Sequence, residues 1–101
     1  MSEPIPKLNY WRNEDYLKWV KSQVSCISER PADDPHHIKG HGYGGSIKAP
    51  DWATIPLTRD EHSLFHNMGW ETWEKLHGSQ LEYVAETLGK AIDEGILEVV
   101  K

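Results

Sequence analysis

Hydrophobic positions in this chain cluster into short periodic runs separated by polar, turn-rich stretches. Leu17, Val20 and Val24 recur at helical spacing behind Asn13, with Tyr16 and Trp19 widening the face and Glu14 and Asp15 at the positive helix end. That pattern predicts a helix from about 14 to 24. Residues 1–10, with Pro4 and Pro6, predict an extended lead-in. From Ser25 to Asp51 the periodicity lapses into Pro, Gly, Asp and His, with a short strand expected around His37 and Ile38 and the run Gly40-His41-Gly42-Tyr43-Gly44-Gly45 after it. Ala53 to Leu57 predicts a second short strand, held to an edge or an end by Pro56.

Thr58-Arg59-Asp60-Glu61 has the form of a capping box and opens a helix that Gly69 should stop. A brief helix is expected over Thr72 to Leu76. A second box, Ser79 to Glu82, opens the longest helix, a C-terminal one spanning 79–97, with Leu81, Val84, Ala85, Leu88 and Ile92 on its core face. The fold class that follows is α+β: a short β-hairpin and helix, flanked by an N-terminal helix and a long C-terminal one. At 101 residues there is room for a single domain, 1–101, and a small core in which five Trp must supply much of the burial.

Charge alters this picture once it is divided along the chain. The total is −5, which argues against a protein that coats nucleic acid by net charge. Residues 1–50 carry seven basic and six acidic side chains, however, while 51–101 carry four and ten. The acid belongs mainly to helical solvent faces. A single Cys, Cys26, excludes an internal disulfide. No apolar run approaches the roughly 20 residues of a membrane span, so the expected address is cytoplasmic, without membrane contact.

The candidate chemistry is histidine. Five of the six His, at 36, 37, 41, 62 and 66, fall within 31 residues. His62 and His66 stand at i and i+4 on the capped helix, so both imidazoles reach one ion. Neighbours in an extended segment point to opposite sides, so one of His36 and His37 can join a metal while the other faces a substrate. Metal-assisted phosphodiester hydrolysis needs that division: a divalent ion against the phosphate, and a neutral imidazole taking a proton from water. Mg²⁺ or Mn²⁺ suits the activity, while Zn²⁺ or Ni²⁺ suits three imidazoles. Lys39 and Lys48 flank the glycine-rich loop as candidate phosphate contacts.

His36-His37, Asp51 fourteen residues past His37, and the His62/His66 pair resemble the HNH, or ββα-metal, nuclease motif. The segments Trp11-Arg12-Asn13-Glu14, Trp19-Val20-Lys21-Ser22-Gln23, Pro31-Ala32-Asp33-Asp34-Pro35-His36-His37, Gly40-His41-Gly42 and Ile55-Pro56-Leu57 resemble more closely a phage and prophage family of HNH-like nucleases that includes the RecA-dependent nuclease Ref. The resemblance covers about residues 8–97, with 36–66 as its metal and catalytic core. It implies a metal-dependent DNA endonuclease, of use in recombination or repair, with DNA and a RecA-type filament as partners in a bacterial cytoplasm. His37 would be the general base, Asp51 would orient it, and His36, His62 and His66 would hold the metal. Exchange of roles between His36 and His37 stays open, and His41 has two open roles, phosphate contact or ligand.

Relatives of this kind carry a structural zinc at positions matched here by Ser25, Ser28, Thr58 and Glu61. No such zinc is expected in this chain, and Trp19, Trp52, Trp70 and Trp73 are the candidates for compensating packing. Two competing expectations stand beside the nuclease: a non-catalytic metal-binding accessory module that uses its acidic C-terminal helix to bind a protein, and a helical scaffold with incidental His.

Overall fold

The computed structural model describes residues 10–98. Its elements run α1 (Glu14–Lys21), β1 (Asp34–His37), β2 (Thr54–Leu57), α2 (Arg59–Met68), α3 (Trp70–His77) and α4 (Gln80–Asp93). This is the expected α+β architecture, with a hairpin and helix at its centre. The expected lead-in falls almost wholly outside the described residues.

The hairpin is antiparallel, pairing Asp34 with Leu57, Pro35 with Pro56, His36 with Ile55 and His37 with Thr54. This register sets the two prolines, which have no N–H to donate, opposite each other. β2 is buried along its whole length, whereas β1 buries only His36. Every β2 side chain is therefore committed to packing, whereas β1 keeps Asp34, Pro35 and His37 partly exposed.

Local signals account for the helix boundaries. Asn13 Oδ1 accepts from the Tyr16 N–H at 2.9 Å and starts α1. The Thr58/Glu61 capping box forms in both directions and starts α2. Gly69, at φ 89°, both ends α2 and precedes α3. Ser79 caps α4 by accepting from the Leu81 and Glu82 amides.

Ile38, Ile55, Leu57, Phe65, Trp73 and Val84 form the main core, with Trp52, Trp70, Cys26 and Leu88 packed against it. A smaller cluster of Tyr16, Val20 and Ala91, flanked by Trp11 and Trp19, joins α1 to α4. The tryptophans named as compensating packing all lie against one cluster or the other.

Three expectations need correction. α1 ends at Lys21, three residues short of Val24, because Ser22 caps it onto the Trp19 carbonyl and Val24 leaves to bridge Pro31. α3 is longer than Thr72 to Leu76 and begins directly at Trp70.

The third concerns α4, which buries Gln80, Val84, Thr87 and Ala91 and leaves Leu81 and Ile92 more than two-fifths exposed and Ala85 exposed as well. The helix is rotated so that the Gln80 amide enters the interior and the small Ala91 meets α1, overriding the larger apolar stripe. The helix itself stops at Asp93, and the Ile96 and Leu97 amides turn back onto the Ala91 carbonyl.

Candidate metal centre

β1 and α2 together build one end of the molecule. Alternation along β1 sends Asp34 and His36 to one face and His37 to the other. The i, i+4 spacing on α2 stacks His62 over His66, and the His36 ring lies edge-on to His62, with centroids 4.9 Å apart. One ring nitrogen from each of His36, His62 and His66 lies within 4.8 Å of the others. His36 therefore joins the α2 pair, and His37 does not.

The hydrogen bonding around these rings fits a cation. Asp34 Oδ2 accepts from His62 Nδ1 at 3.2 Å, so neutral His62 carries its lone pair on Nε2, which faces His66 Nε2 at 3.1 Å. A carboxylate behind a ligating imidazole is the usual way such a ring is oriented and made more basic. Asp34 is itself held by both arms of the Arg59 guanidinium, and those hydrogen bonds keep its carboxyl below the usual range.

His36 is fully buried, and its Nδ1 has no hydrogen-bond partner. A buried lone pair without a donor is costly, and an ion among the three rings removes that cost. Burial pushes the His36 pKa down to about 3 and lowers that of His66, so these rings are neutral at neutral pH, as ligands must be.

His37 is built differently. Its Nε2 lies 2.8 Å from Asp51 Oδ1 and donates to it, which leaves Nδ1 as the proton acceptor. Asp51 is nearly buried and fixed from the α1 side: its Oδ2 accepts from the Asn13 amide at 2.7 Å, and its own N–H donates to the Trp11 carbonyl. The N-terminal segment thus serves to clamp this loop. Burial opposes ionisation of Asp51, but the bonds from His37 and Asn13 hold its carboxyl below the ordinary range. Burial likewise holds His37 below the ordinary histidine value, against the pull of Asp51.

A cleft of about 310 Å³ brings the two arrangements onto one surface; Pro35, His37, Lys39, Lys48, His62 and His66 line it. A neighbouring cleft shares Lys48 and adds Tyr10, Arg12 and His41. Among the described residues no carboxylate lines either cleft, in a chain of net charge −5.

His41 lies outside the three-histidine group and donates from Nε2 to Glu74 Oε2 at 2.9 Å. Gly40 precedes it at φ 79°, and a Cβ there would stand 2.3 Å from the Trp70 ring, so only glycine lets the loop close on α3.

The four positions matched to a zinc knuckle also converge, without cysteine. Ser25 Oγ donates to Glu61 Oε1 at 2.6 Å and accepts from the Ser28 amide at 3.3 Å, Thr58 donates its amide to Glu61, and Arg30 lies 3.5 Å from the same carboxylate.

Sequence reasoning passed over Asp34, Glu74 and Gln80. Asp34 was within reach, because it stands two residues before His36 on the same strand face. Gln80 and Glu74 carry no local signal, since the partners that give them a role, His36, Lys39 and His41, lie 33 to 44 residues away in the chain.

Residues 3–95 match the model of a family described as a protein of unknown function, DUF968. The chain belongs to the DUF968 family. It is 40% identical over 94 residues to a protein of Escherichia coli (strain K12) named "Uncharacterized protein YdfU". That match covers 92% of this chain and 27% of the relative, so the chain spans about a quarter of the relative's length. No solved structure matches.

Proposed function

We propose that this domain is a metal-dependent DNA endonuclease of the HNH-like type, of phage or prophage origin. The observation that carries the reading is the juxtaposition, on one cleft lined by no carboxylate, of His62 and His66 from the three-imidazole group and of His37, whose ring is held by Asp51. His36, His62 and His66 would hold a divalent ion, which when bound offsets charge on the phosphate and the leaving oxygen.

The remaining work falls to the chain. His37 Nδ1 takes a proton from the attacking water, Asp51 stabilises the imidazolium that results, and Lys39 and Lys48 hold the flanking phosphates. The burial of His36 and its place beside His62 support His37 as the base. Mg²⁺ or Mn²⁺ would support cutting, and Zn²⁺ or Ni²⁺ would occupy the three imidazoles well. A RecA-type filament as delivering partner follows from the family resemblance.

The test is nicking of supercoiled plasmid and of single-stranded DNA by the purified protein. Cutting in Mg²⁺ or Mn²⁺ that stops in EDTA supports the reading. Absence of cutting in every divalent ion, with Zn²⁺ bound, supports the alternative of a non-catalytic metal-binding accessory module. The exposed Leu81 and Ile92 on acidic α4, as a surface for a protein partner, favour that second reading.

A further inference from the structure

Gln80 is a polar side chain with no solvent exposure, at the first turn of a helix outside the hairpin and α2. Its amide is fully engaged. Oε1 accepts from the Lys39 N–H at 3.1 Å and faces His36 Nε2 at 3.2 Å, while Nε2 donates to the Lys39 carbonyl at 2.8 Å and to Glu74 Oε2 at 3.1 Å. Three of these four groups have fixed roles: a backbone N–H can only donate, and a carbonyl and a carboxylate can only accept. The amide therefore has one orientation, and the alternative would set its NH₂ against a donor and its oxygen against two acceptors. The fourth group, His36 Nε2, meets an oxygen and must itself be the donor.

We propose that Gln80 is a positioning residue that locks His36 as its Nε2–H tautomer, leaving the buried Nδ1 as the lone pair available to an ion shared with His62 and His66. The purpose of this lock rests on the metal reading given above.

The lock extends to the surface through Glu74, whose Oε2 also accepts from the Gln80 backbone N–H at 3.0 Å and from His41 Nε2 at 2.9 Å. Gly40-His41-Gly42 thereby acquires a role: it anchors the carboxylate that holds the glutamine that orients the buried ligand. Asp34 does the same for His62 from the opposite side, in mirrored chemistry, since it binds Nδ1–H and frees Nε2.

The experiment is long-range ¹⁵N–¹H NMR of histidine-labelled, metal-free protein at neutral pH, with calorimetric titration of Zn²⁺. The expected spectrum has His36 protonated on Nε2 and bare on Nδ1, and ¹¹³Cd²⁺ added to the wild type should couple to Nδ1. Gln80→Leu should mix the tautomers and weaken Zn²⁺ binding by about 10- to 100-fold, the range for loss of an outer-shell partner. Glu74→Ala, which leaves both Lys39 bonds to Gln80 in place, should weaken it less.

A proton on Nδ1 of wild-type His36, cadmium coupling through Nε2, or an unchanged tautomer in a folded Gln80→Leu protein would overturn the proposal. The wild-type spectra decide the point even where that variant does not fold. An Nε2–H His36 in a protein with no affinity for Zn²⁺, Cd²⁺ or Mn²⁺ would uphold the tautomer and overturn the metal reading.

Discussion

Two polar clusters share helix α2, and they are satisfied to different degrees. At its first turn, Ser25, Thr58 and Arg30 surround the Glu61 carboxylate, and each contact is an ordinary hydrogen bond or ion pair within the protein. One residue further along, His62 turns away toward His36 and His66, where two ring nitrogens face each other and the buried His36 Nδ1 has no partner. The first cluster is complete without a ligand and therefore structural. The second keeps one buried ring nitrogen unmet. Local polarity does not separate the two; an unmet buried lone pair does.

The sharpest way to break this comparison is by pH, because the clusters titrate in different windows. His36 stays neutral in the fold down to about pH 3, against an ordinary value of 6.5. The unfolded chain thus binds the extra proton first, and stability falls as pH drops below 6.5. In metal-free protein the loss between pH 6.5 and 4.5 should be roughly 2 kcal/mol from this group, read by urea denaturation, and His36→Leu should flatten that limb. Glu61, whose folded pKa is depressed, contributes stability that is present above its unfolded value and lost only as pH falls below about 4.5. A single steep transition confined to pH below 4 would contradict the separation.

Next in size is Asp34→Ala. It should weaken Zn²⁺ binding by about 10- to 100-fold by freeing the His62 ring. Loss of the exposed Arg59 pair should leave stability almost unchanged, because solvent screens it. Glu61→Ala should show the opposite pattern, about 2 kcal/mol lost in denaturation, from a broken capping box and an unpaired Ser25, with Zn²⁺ affinity unchanged. Equal losses of metal affinity in the two variants would merge the clusters into one unit.

Much of the fold was legible locally. Asn13, the Thr58/Glu61 box, Gly69 and Ser79 each act through neighbours within four residues, and their helices start and stop where those residues say. The core face of α4 was not legible. Periodicity selected Leu81, Ala85 and Ile92, whereas the fold buries Gln80, because four hydrogen-bonding groups, three of them distant in sequence, outweigh one more leucine in the core. Spacing alone brought His62 to His66, and strand alternation separated His36 from His37. Which of that pair joins α2 depends on the register of β1 against β2 and needed the structure.

The central claim is the division of labour between neighbouring histidines, and the direct measurement is His37→Ala assayed for both functions in the same preparation. The account predicts that the variant binds Mn²⁺ and Zn²⁺ as the wild type does by calorimetry, while DNA nicking falls by about 10²- to 10⁴-fold, the usual weight of a general base. Undiminished nicking by His37→Ala, or loss of ion binding along with activity, would contradict it.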